Sequence, residues 1–201
     1  MTSSPSEPAP ATEAAPVPHP LQDFADTVAD ATGGSVTVAF DTVKVTVEPS
    51  RWVEALTTAR DQLDLVFFSW LSAVDWTNEV AVGDELSEKV DERFEVLATV
   101  SDLGEGKRVT FSTSIDKPEA TLPTLVEVYA GANWHEREAA EMFGIRFDGH
   151  PDLSHLYLPD GFIGNPLRKS FPLLSREVKP WPGTVDVESM PESVSTENPE
   201  A

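Results

Sequence analysis

The chain has 201 residues, a formal net charge of −21 and no cysteine. The lack of cysteine excludes disulfide bonds, thiolate nucleophiles and iron–sulfur sites built only from cysteine. The negative charge argues against direct binding of nucleic acid or of an anionic membrane surface, because both need clustered lysine and arginine. The longest apolar run, residues 65–74, has ten residues, whereas a membrane-spanning helix needs roughly 20. Residues 1–43 hold no lysine or arginine, so neither a secretory signal nor a transit peptide is expected there.

The charge is distributed unevenly along the sequence. Residues 1–133 hold 8 basic and 23 acidic side chains, residues 184–201 hold 5 acidic and no basic ones, and residues 134–183 hold 6 basic and 7 acidic ones. The nearly neutral stretch is the part that can approach another protein with the least repulsion. The six prolines of residues 1–20 predict a disordered leader, and the acidic, Ser/Pro-rich residues 184–201 predict a disordered tail.

Between these ends, the apolar pattern begins with a helix, a hairpin and a second helix. The first helix is predicted from residue 21 to Gly33-Gly34, which ends it. Alternating apolar residues at 36–40 and 43–47 predict a hairpin with Asp41-Thr42 as its loop. Pro49 then opens the second helix. One face of that helix carries Trp52, Leu56, Ala59 and Leu63.

The next segment predicts the centre of a sheet. Residues 65–74 are almost continuously apolar, which predicts a central strand covered on both faces. Residues 77–91 are acidic and polar and are expected to form an exposed loop. Alternation at 94–100 and 109–115, around the turn Gly104-Glu105-Gly106, predicts a second hairpin.

Another helix is predicted to start near Pro123, with Leu125, Val128 and Tyr129 pointing inward. Together the elements predict a single α+β domain over residues 21–147, in which helices cover one side of a mixed, largely antiparallel sheet.

A charged helix follows at residues 133–143. Asn133 can cap its start, and Glu136 stands three positions later, where the carboxylate of a capping box belongs. Gly144 suits the left-handed residue that ends a helix. Arg137 and Glu141 are four residues apart, so they are predicted to pair on the helix surface. The alternative is that these charges are buried against a partner protein.

Common catalytic and cofactor-binding motifs are missing from this sequence. His135 is followed by Ala139 where the second histidine of the H-E-x-x-H zinc motif belongs. His150 and His155 are separated by Pro151, which argues against a helix that would align them on a metal. Neither G-x-G-x-x-G nor a phosphate-binding loop occurs. We therefore expect no catalytic residue, metal or other cofactor on this chain.

Residues 148–183 combine six prolines with spaced aromatic residues and show no regular period. Proline fixes φ and prevents a helix, and an extended segment with spaced apolar anchors is typical of chains that dock on other proteins. Arg168-Lys169 adds a positive patch for an acidic neighbour. We therefore predict an extended partner-docking segment over residues 148–183. The alternative is a segment that folds back over its own domain.

Two motifs carry a family resemblance. The motif E-R-E-x-x-E-M-F-G-I-x-F-x-G-H-P-D-L starts at Glu136, and G-x-P-L-R-K-x-F-P ends at Pro172. They resemble the signature of the C-type subunit of NADH-quinone oxidoreductase, which is the 30 kDa subunit family of respiratory complex I (NDH-1). The sequence departs from the usual family pattern at positions 140–141, 154, 162 and 170, which leaves individual contacts of the tail open. The motif positions, which we assign to folding and docking, are Glu136, Arg137, Glu138, Glu141, Gly144, His150, Pro151, Pro166, Leu167, Arg168, Lys169, Phe171 and Pro172.

The resemblance implies a peripheral-arm subunit without a cofactor of its own, whose partner subunits carry FMN and iron–sulfur clusters. It implies packing against the homologue of the D-type subunit near the quinone site, on the cytoplasmic side of a bacterial plasma membrane, with contact to the membrane only through the complex. The complete complex passes electrons from NADH to a quinone and translocates protons.

Three alternatives stay open at this point. The chain could be the equivalent subunit of a related membrane-bound hydrogenase or of a dehydrogenase with another electron donor. It could be a free-standing enzyme that uses His135, Glu136 and Glu138 as acid–base groups, since paired carboxylates can do this work when their pKa values differ. It could also be a soluble adaptor without a membrane complex.

Overall fold

The computed structural model describes residues 19–79 and 87–172. Most of the predicted leader, part of the acidic loop, residues 173–183 of the docking segment and the whole acidic tail lie outside these residues. In chain order the elements are α1 (Gln22–Thr32), β1 (Ser35–Ala39), β2 (Thr42–Thr46), a 3-10 turn (Pro49–Arg51), α2 (Trp52–Gln62), β3 (Phe67–Trp76), β4 (Arg93–Ser101), β5 (Arg108–Asp116), β6 (Thr121–Pro123), α3 (Ala132–Phe143) and β7 (Arg146–Asp148).

Five strands form the main sheet, in the order β1-β2-β5-β4-β3. β2 and β5 run parallel, whereas the other three pairs are antiparallel. The prediction of an α+β fold with a mixed, largely antiparallel sheet is therefore confirmed. β6 and β7 form a separate parallel pair, which places the chain just before α3 beside the chain just after it.

The first hairpin turns one residue earlier than predicted. Its loop is Phe40-Asp41, not Asp41-Thr42, and both residues have positive φ, 51° and 56°. Positive φ at both central residues is the geometry that matches the twist of two paired strands. α1 ends as predicted at Gly33, whose φ of 66° is the left-handed conformation that glycine adopts without strain.

One face of the sheet packs against the helices and forms the core. Val45 of β2, Phe111 of β5 and Leu56 of α2 are fully buried, and the ring of Phe94 on β4 meets Phe143 of α3 edge-on, with 6.1 Å between ring centroids. Burying a side chain of this size stabilises the fold by about 1.5–3 kcal/mol. This packing fixes α3, and with it the charged motif, on the helical face of the sheet.

β3 is the edge strand of the sheet, so the prediction of a central strand covered on both faces is wrong. Leu71 points into the core and is 1% exposed, but Phe67 is 50% exposed and Trp70 is 37% exposed. The apolar run in the sequence correctly indicated a strand, but it did not show which of its side chains the rest of the domain covers. Helix α3 packs against β3, and the ring of His135 on α3 meets the ring of Phe68 on β3 edge-on.

The prediction of a helix that starts near Pro123 is also wrong. Residues 121–123 form strand β6, and turns occupy most of residues 124–131. The apolar pattern was nevertheless informative, because Leu125 and Tyr129 are buried. The Tyr129 hydroxyl donates a hydrogen bond to the carbonyl of Leu65 at 2.8 Å, which ties this turn to the start of β3.

Candidate functional site

Helix α3 carries the charged motif and begins earlier than the sequence indicated. It starts at Ala132 after Gly131, and no side chain caps it. Asn133 is therefore inside the helix, and Glu136 stands beyond the first turn, where a capping carboxylate cannot reach the free N–H groups. The predicted capping box is wrong. Gly144 does end the helix as predicted, in the left-handed conformation with φ 71°.

Glu136 is fully buried. Its carboxylate accepts hydrogen bonds from the Thr124 hydroxyl and from the Leu125 N–H, the latter at 2.6 Å. It therefore holds the turn that precedes α3. Burial raises the pKa of Glu136 to about 7, because the charged form loses its hydration, although both hydrogen bonds oppose this shift.

The buried ring of His150 joins α3 to the start of the proline-rich segment. Its Nδ1 accepts the Asp152 N–H at 3.1 Å, which requires the ring proton to be on Nε2. Nε2 lies 3.2 Å from the Asn133 carbonyl and 4.0 Å from Oε2 of Glu136. His150 thus acts as a polar link between helix and segment. His155 contributes only its backbone to this site.

Arg137 and Glu141 do not pair with each other, so this prediction is wrong. Both instead bind the backbone of the proline-rich segment. Arg137 Nε donates to the Ser154 carbonyl at 2.9 Å, and its Nη2 donates to the Ser154 hydroxyl and the His155 carbonyl at 3.1 Å. Glu141 accepts the N–H groups of Leu156 and Tyr157 at 2.6 and 2.9 Å. Exposed surface pairs contribute little, whereas these contacts satisfy backbone groups that no secondary structure satisfies.

The second motif caps the C-terminus of α3. The Asn165 side chain donates to the Glu141 carbonyl at 2.9 Å, the Leu167 N–H to the Met142 carbonyl at 3.1 Å, and Arg168 Nε to the Phe143 carbonyl at 2.5 Å. The last carbonyls of a helix have no partner within the helix and carry partial negative charge, so a cation is favourable there.

The local geometry of this cap depends on a proline and a glycine. Pro166 follows Asn165 in a turn closed by the Arg168 N–H, a position where its fixed φ suits the chain. A Cβ on Gly144 would collide with the Arg168 guanidinium and the Asn165 side chain. Gly144 is therefore needed both for its conformation and for the approach of the second motif.

Asp75, which sequence reasoning missed, fixes the far end of the segment. It is 5% exposed on the inward side of β3 and accepts the Lys169 N–H at 2.9 Å, the Lys117 ammonium at 2.5 Å and the Thr77 hydroxyl. Burial opposes ionisation, but the Lys117 pair and the hydrogen bonds outweigh it and hold the pKa of Asp75 below its ordinary value. A signal was present in the sequence, because the alternation of β3 places Asp75 on the same face as Leu71.

Residues 150–172 are therefore bound to their own domain. The prediction that this segment takes its shape only from a partner is wrong for these residues, and the fold-back alternative is right. Other motif positions take minor parts: Phe171 stacks on Phe162 at 6.0 Å between centroids, and Pro151 and Pro172 are exposed. The segment also presents apolar side chains outward, since Tyr157 is 64% exposed, Ile163 90% and Leu167 52%.

The structure does not bring His135, Glu136 and Glu138 together as the acid–base site that the sequence left open. Both oxygens of Glu136 are bound to residues 124–125, Glu138 is half-buried on the helix, and the His135 ring packs edge-on against Phe68 at 5.7 Å. Within residues 19–79 and 87–172, no cluster of three or more histidine or carboxylate side chains has the arrangement of a metal site. Nor does this part of the chain contain a helix with the length and apolar character needed to cross a bilayer.

Comparison with known proteins identifies the family. Residues 45–177 match the family described as respiratory-chain NADH dehydrogenase, 30 Kd subunit. The chain belongs to this family. The resemblance drawn from the two motifs is thereby confirmed, and the chain is one component of a larger enzyme.

Two relatives are named as the C-type subunit of NADH-quinone oxidoreductase. The protein from Methylobacterium sp. (strain 4-46) is 36% identical over 159 residues, which cover 76% of this chain and 68% of that protein. The protein from Rhodobacter capsulatus is 38% identical over 157 residues, which cover 76% and 73%.

Two solved structures share the fold. A trypsin-resistant fragment of Nqo5 aligns with a TM-score of 0.53 and 23% identity over 66% of this chain and 98% of the fragment. A chain of the membrane-bound sulfane sulfur reductase, described as an archaeal respiratory membrane complex, aligns with a TM-score of 0.56 and 18% identity over 70% of this chain and 77% of that chain.

Proposed function

We propose that this chain is a structural component of the peripheral arm of a proton-translocating NADH:quinone oxidoreductase. It lies beside the homologue of the D-type subunit, near the quinone site, and helps to hold the arm together. Partner subunits carry FMN and the iron–sulfur clusters. The chain reaches the cytoplasmic side of a bacterial plasma membrane only through these partners.

This proposal rests on the hydrogen bonds that the charged motif residues make. Arg137, Glu141 and Arg168 bind backbone groups of residues 143–157 rather than one another, so their charges build a surface and are not poised for proton transfer. The surface that results displays Tyr157, Ile163 and Leu167. Exposed apolar side chains on a backbone fixed in place are typical of a protein–protein contact.

A related complex with another electron donor is the second candidate. The fold likeness to a chain of the sulfane sulfur reductase supports it, because that complex is not named for NADH. The relatives at 36–38% identity, by contrast, are named for NADH and quinone. We therefore retain NADH as the proposed donor for the complete complex.

The test is to replace Tyr157, Ile163 and Leu167 by serine in the chromosomal copy. We expect the full-size complex to disappear from native gels of solubilised membranes, together with NADH-driven quinone reduction. The purified variant should keep the wild-type far-UV circular dichroism spectrum, because these side chains point outward. Phe40→Ser is the matched control, since Phe40 is 100% exposed at the opposite edge of the sheet. A full-size, active complex containing the triple variant would contradict the docking role.

Activity with a different donor would decide between the two candidates. Membranes in which this chain enters a large complex that reduces quinone from another donor, and not from NADH, would favour the second. Recovery of the chain without any integral-membrane partner would instead favour a soluble adaptor.

A further inference from the structure

Residues 150–172, which we call the strap, lie on the domain without joining its core. The buried apolar core ends with Phe147, and from position 151 on every residue of the strap is half-buried or exposed. Leu153 packs partly against the core, and the Arg168 guanidinium lies over the ring of Phe94, 5.4 Å from its centroid. The strap therefore contributes little to the apolar burial that stabilises the sheet and its helices.

Two groups of polar contacts hold the strap on the domain. The first anchor is residues 150–157, whose backbone is bound by Arg137 and Glu141. The second anchor is residues 165–169, which bind the last carbonyls of α3 and a buried carboxylate of β3. The backbone hydrogen bonding of the stretch between the two anchors stays within the strap. The strap is thus attached at its two ends and free of the domain in the middle.

Glu141 joins the two anchors. Its carboxylate accepts the N–H groups of Leu156 and Tyr157, while its backbone carbonyl accepts the Asn165 side chain. Each of these bonds replaces a bond to water when the strap closes, so each contributes only a small net stability. A contiguous segment that is held in this way opens at a much lower cost in free energy than the core of its domain.

The surface proposed for docking depends on both anchors. Tyr157 stands at the end of the first anchor, Leu167 lies within the second, and Ile163 lies between them. When both anchors are closed, the three side chains have fixed positions on the domain. When the strap leaves the domain, these positions are lost. A partner that contacts all three side chains therefore binds only the closed strap.

We propose that the strap opens and closes as one unit while the sheet and helices stay folded, and that each opening dismantles the docking surface. The inference rests on the proposed function in taking Tyr157, Ile163 and Leu167 as that surface. The closed strap is the main state of the isolated chain, and docking in the assembly holds it closed. The fold thereby contains a movable element whose position a fellow subunit sets.

Hydrogen exchange of the isolated full-length chain, recorded by NMR, tests the opening. The reporters are four strap amides that donate to the domain, at positions 156, 157, 167 and 169. After correction for intrinsic exchange rates, we expect all four to share one degree of protection. It should be at least about tenfold above that of an unstructured peptide and at least about 100-fold below that of the central amides of β4 and β5. Low concentrations of urea should change it little, because opening of the strap exposes little surface.

The variant Arg137→Met tests whether the two anchors open together. The substitution removes the three bonds to residues 154–155 but leaves all four reporter amides their acceptors. All four should nevertheless exchange about tenfold faster, because the whole strap opens more often. Asn165→Ala, at the second anchor, should likewise speed exchange at positions 156 and 157, by about threefold. Arg146→Met is the matched control, because Arg146 pairs with Asp148 on β7 rather than with the strap.

Three results would overturn the inference. The first is that the reporter amides have no protection, or the same protection as the sheet. The second is an effect of Arg137→Met that is confined to positions 156 and 157. The third is an equal acceleration of the β4 and β5 amides in that variant, which would mean that the strap opens only when the domain unfolds.

The complete assembly separates failure of the inference from failure of the proposed function. Mass spectrometry of peptides that contain the reporters should show exchange at least about tenfold slower in the assembly than in the isolated chain. If the isolated chain behaves as expected and the assembly adds no protection, the opening of the strap stands and the docking surface of the proposed function fails. If the reporters of the isolated chain fail the test and the chain is still found in an NADH-oxidising, quinone-reducing complex, only the inference fails.

Discussion

Replacing Glu136 by glutamine should change how the stability of this chain depends on pH. Glu136 is fully buried, and burial raises the pKa of its carboxyl from the ordinary 4.5 to about 7. Between these two pH values the folded chain binds a proton that the unfolded chain has released. The contribution of this group to stability is therefore complete below pH 4.5 and is lost as the pH rises through 7.

The size of this effect follows from the two pKa values. One pKa unit corresponds to about 1.4 kcal/mol, so the difference between 4.5 and about 7 corresponds to about 3 kcal/mol. Glutamine has no charge to bury, and its carbonyl can still accept the Leu125 N–H while its amide faces the Thr124 hydroxyl. The free energy of unfolding of Glu136→Gln should therefore gain about 3 kcal/mol relative to wild type between pH 4.5 and pH 8.

Urea denaturation of the full chain at a series of pH values measures this difference. Comparison of variant with wild type at each pH cancels the other titrating groups, provided that they do not interact with Glu136. Glu138→Gln, on the same helix but half-buried, gives the effect of removing a charge from α3 alone. A flat difference for Glu136→Gln, or one that falls as the pH rises, would mean that the bonds from Thr124 and Leu125 outweigh burial and would refute the reasoning.

Three further predictions concern the other buried carboxylates. Burial opposes ionisation of Glu95, but Lys44 and two neutral donors outweigh it and lower the pKa of Glu95 to about 2. The ionised side chain should therefore contribute about 2–3 kcal/mol to the free energy of unfolding above pH 4.5. In acid denaturation, Glu95→Gln should be less stable than wild type by this amount above pH 4.5, and the two should converge toward pH 2. Asp75→Ala should lower the free energy of unfolding by about 2–4 kcal/mol, because the Lys117 ammonium stays partly buried without a partner, and adding Lys117→Met should restore part of the loss in the same assay. Glu141→Ala should speed hydrogen exchange of the amides of residues 156 and 157 at least about tenfold, because both lose their acceptor, while Glu138→Ala should not.

Local signals in the sequence were sufficient for most of the fold. Period-two alternation predicted both hairpins of the main sheet, because each pairs with a neighbour only a short loop away. Gly33 and Gly144 were identified as helix ends, since a left-handed residue at that position strongly favours glycine. The exposed turn at Phe40 departs from the usual residue preference, and sequence reasoning placed that turn one residue late.

The position of β3 could not be predicted from its composition. An apolar run of ten residues is equally compatible with a buried central strand and with an edge strand whose outer face meets another protein. The bulge at Ser69 makes this harder, because it breaks the alternation that would reveal which side chains share a face. Only the pairing with β4 resolves the two possibilities.

The sequence motifs identified which residues form the site, but they did not predict which groups those residues contact. Glu136 and Arg137 looked like surface charges because a helix places residues of this spacing where they can pair or cap. Their actual partners are backbone and hydroxyl groups between 11 and 18 positions away, which no local pattern encodes. Prolines in residues 150–172 correctly excluded a helix, but they gave no indication of the surface on which the chain lies.

The two motifs are therefore halves of one structure, and this changes what docking requires. Helix α3 supplies the side chains that bind residues 154–157, and the turn at residues 165–168 returns to cap that helix. Removing residues 166–172 would expose the last carbonyls of α3 and leave Asp75 without the Lys169 N–H, so such a deletion disturbs the domain as well as any contact with a partner. Substitutions at outward side chains are the appropriate test for the same reason. A segment already fixed on its own domain also loses less conformational freedom on binding than a disordered one, which favours stable incorporation into a larger assembly.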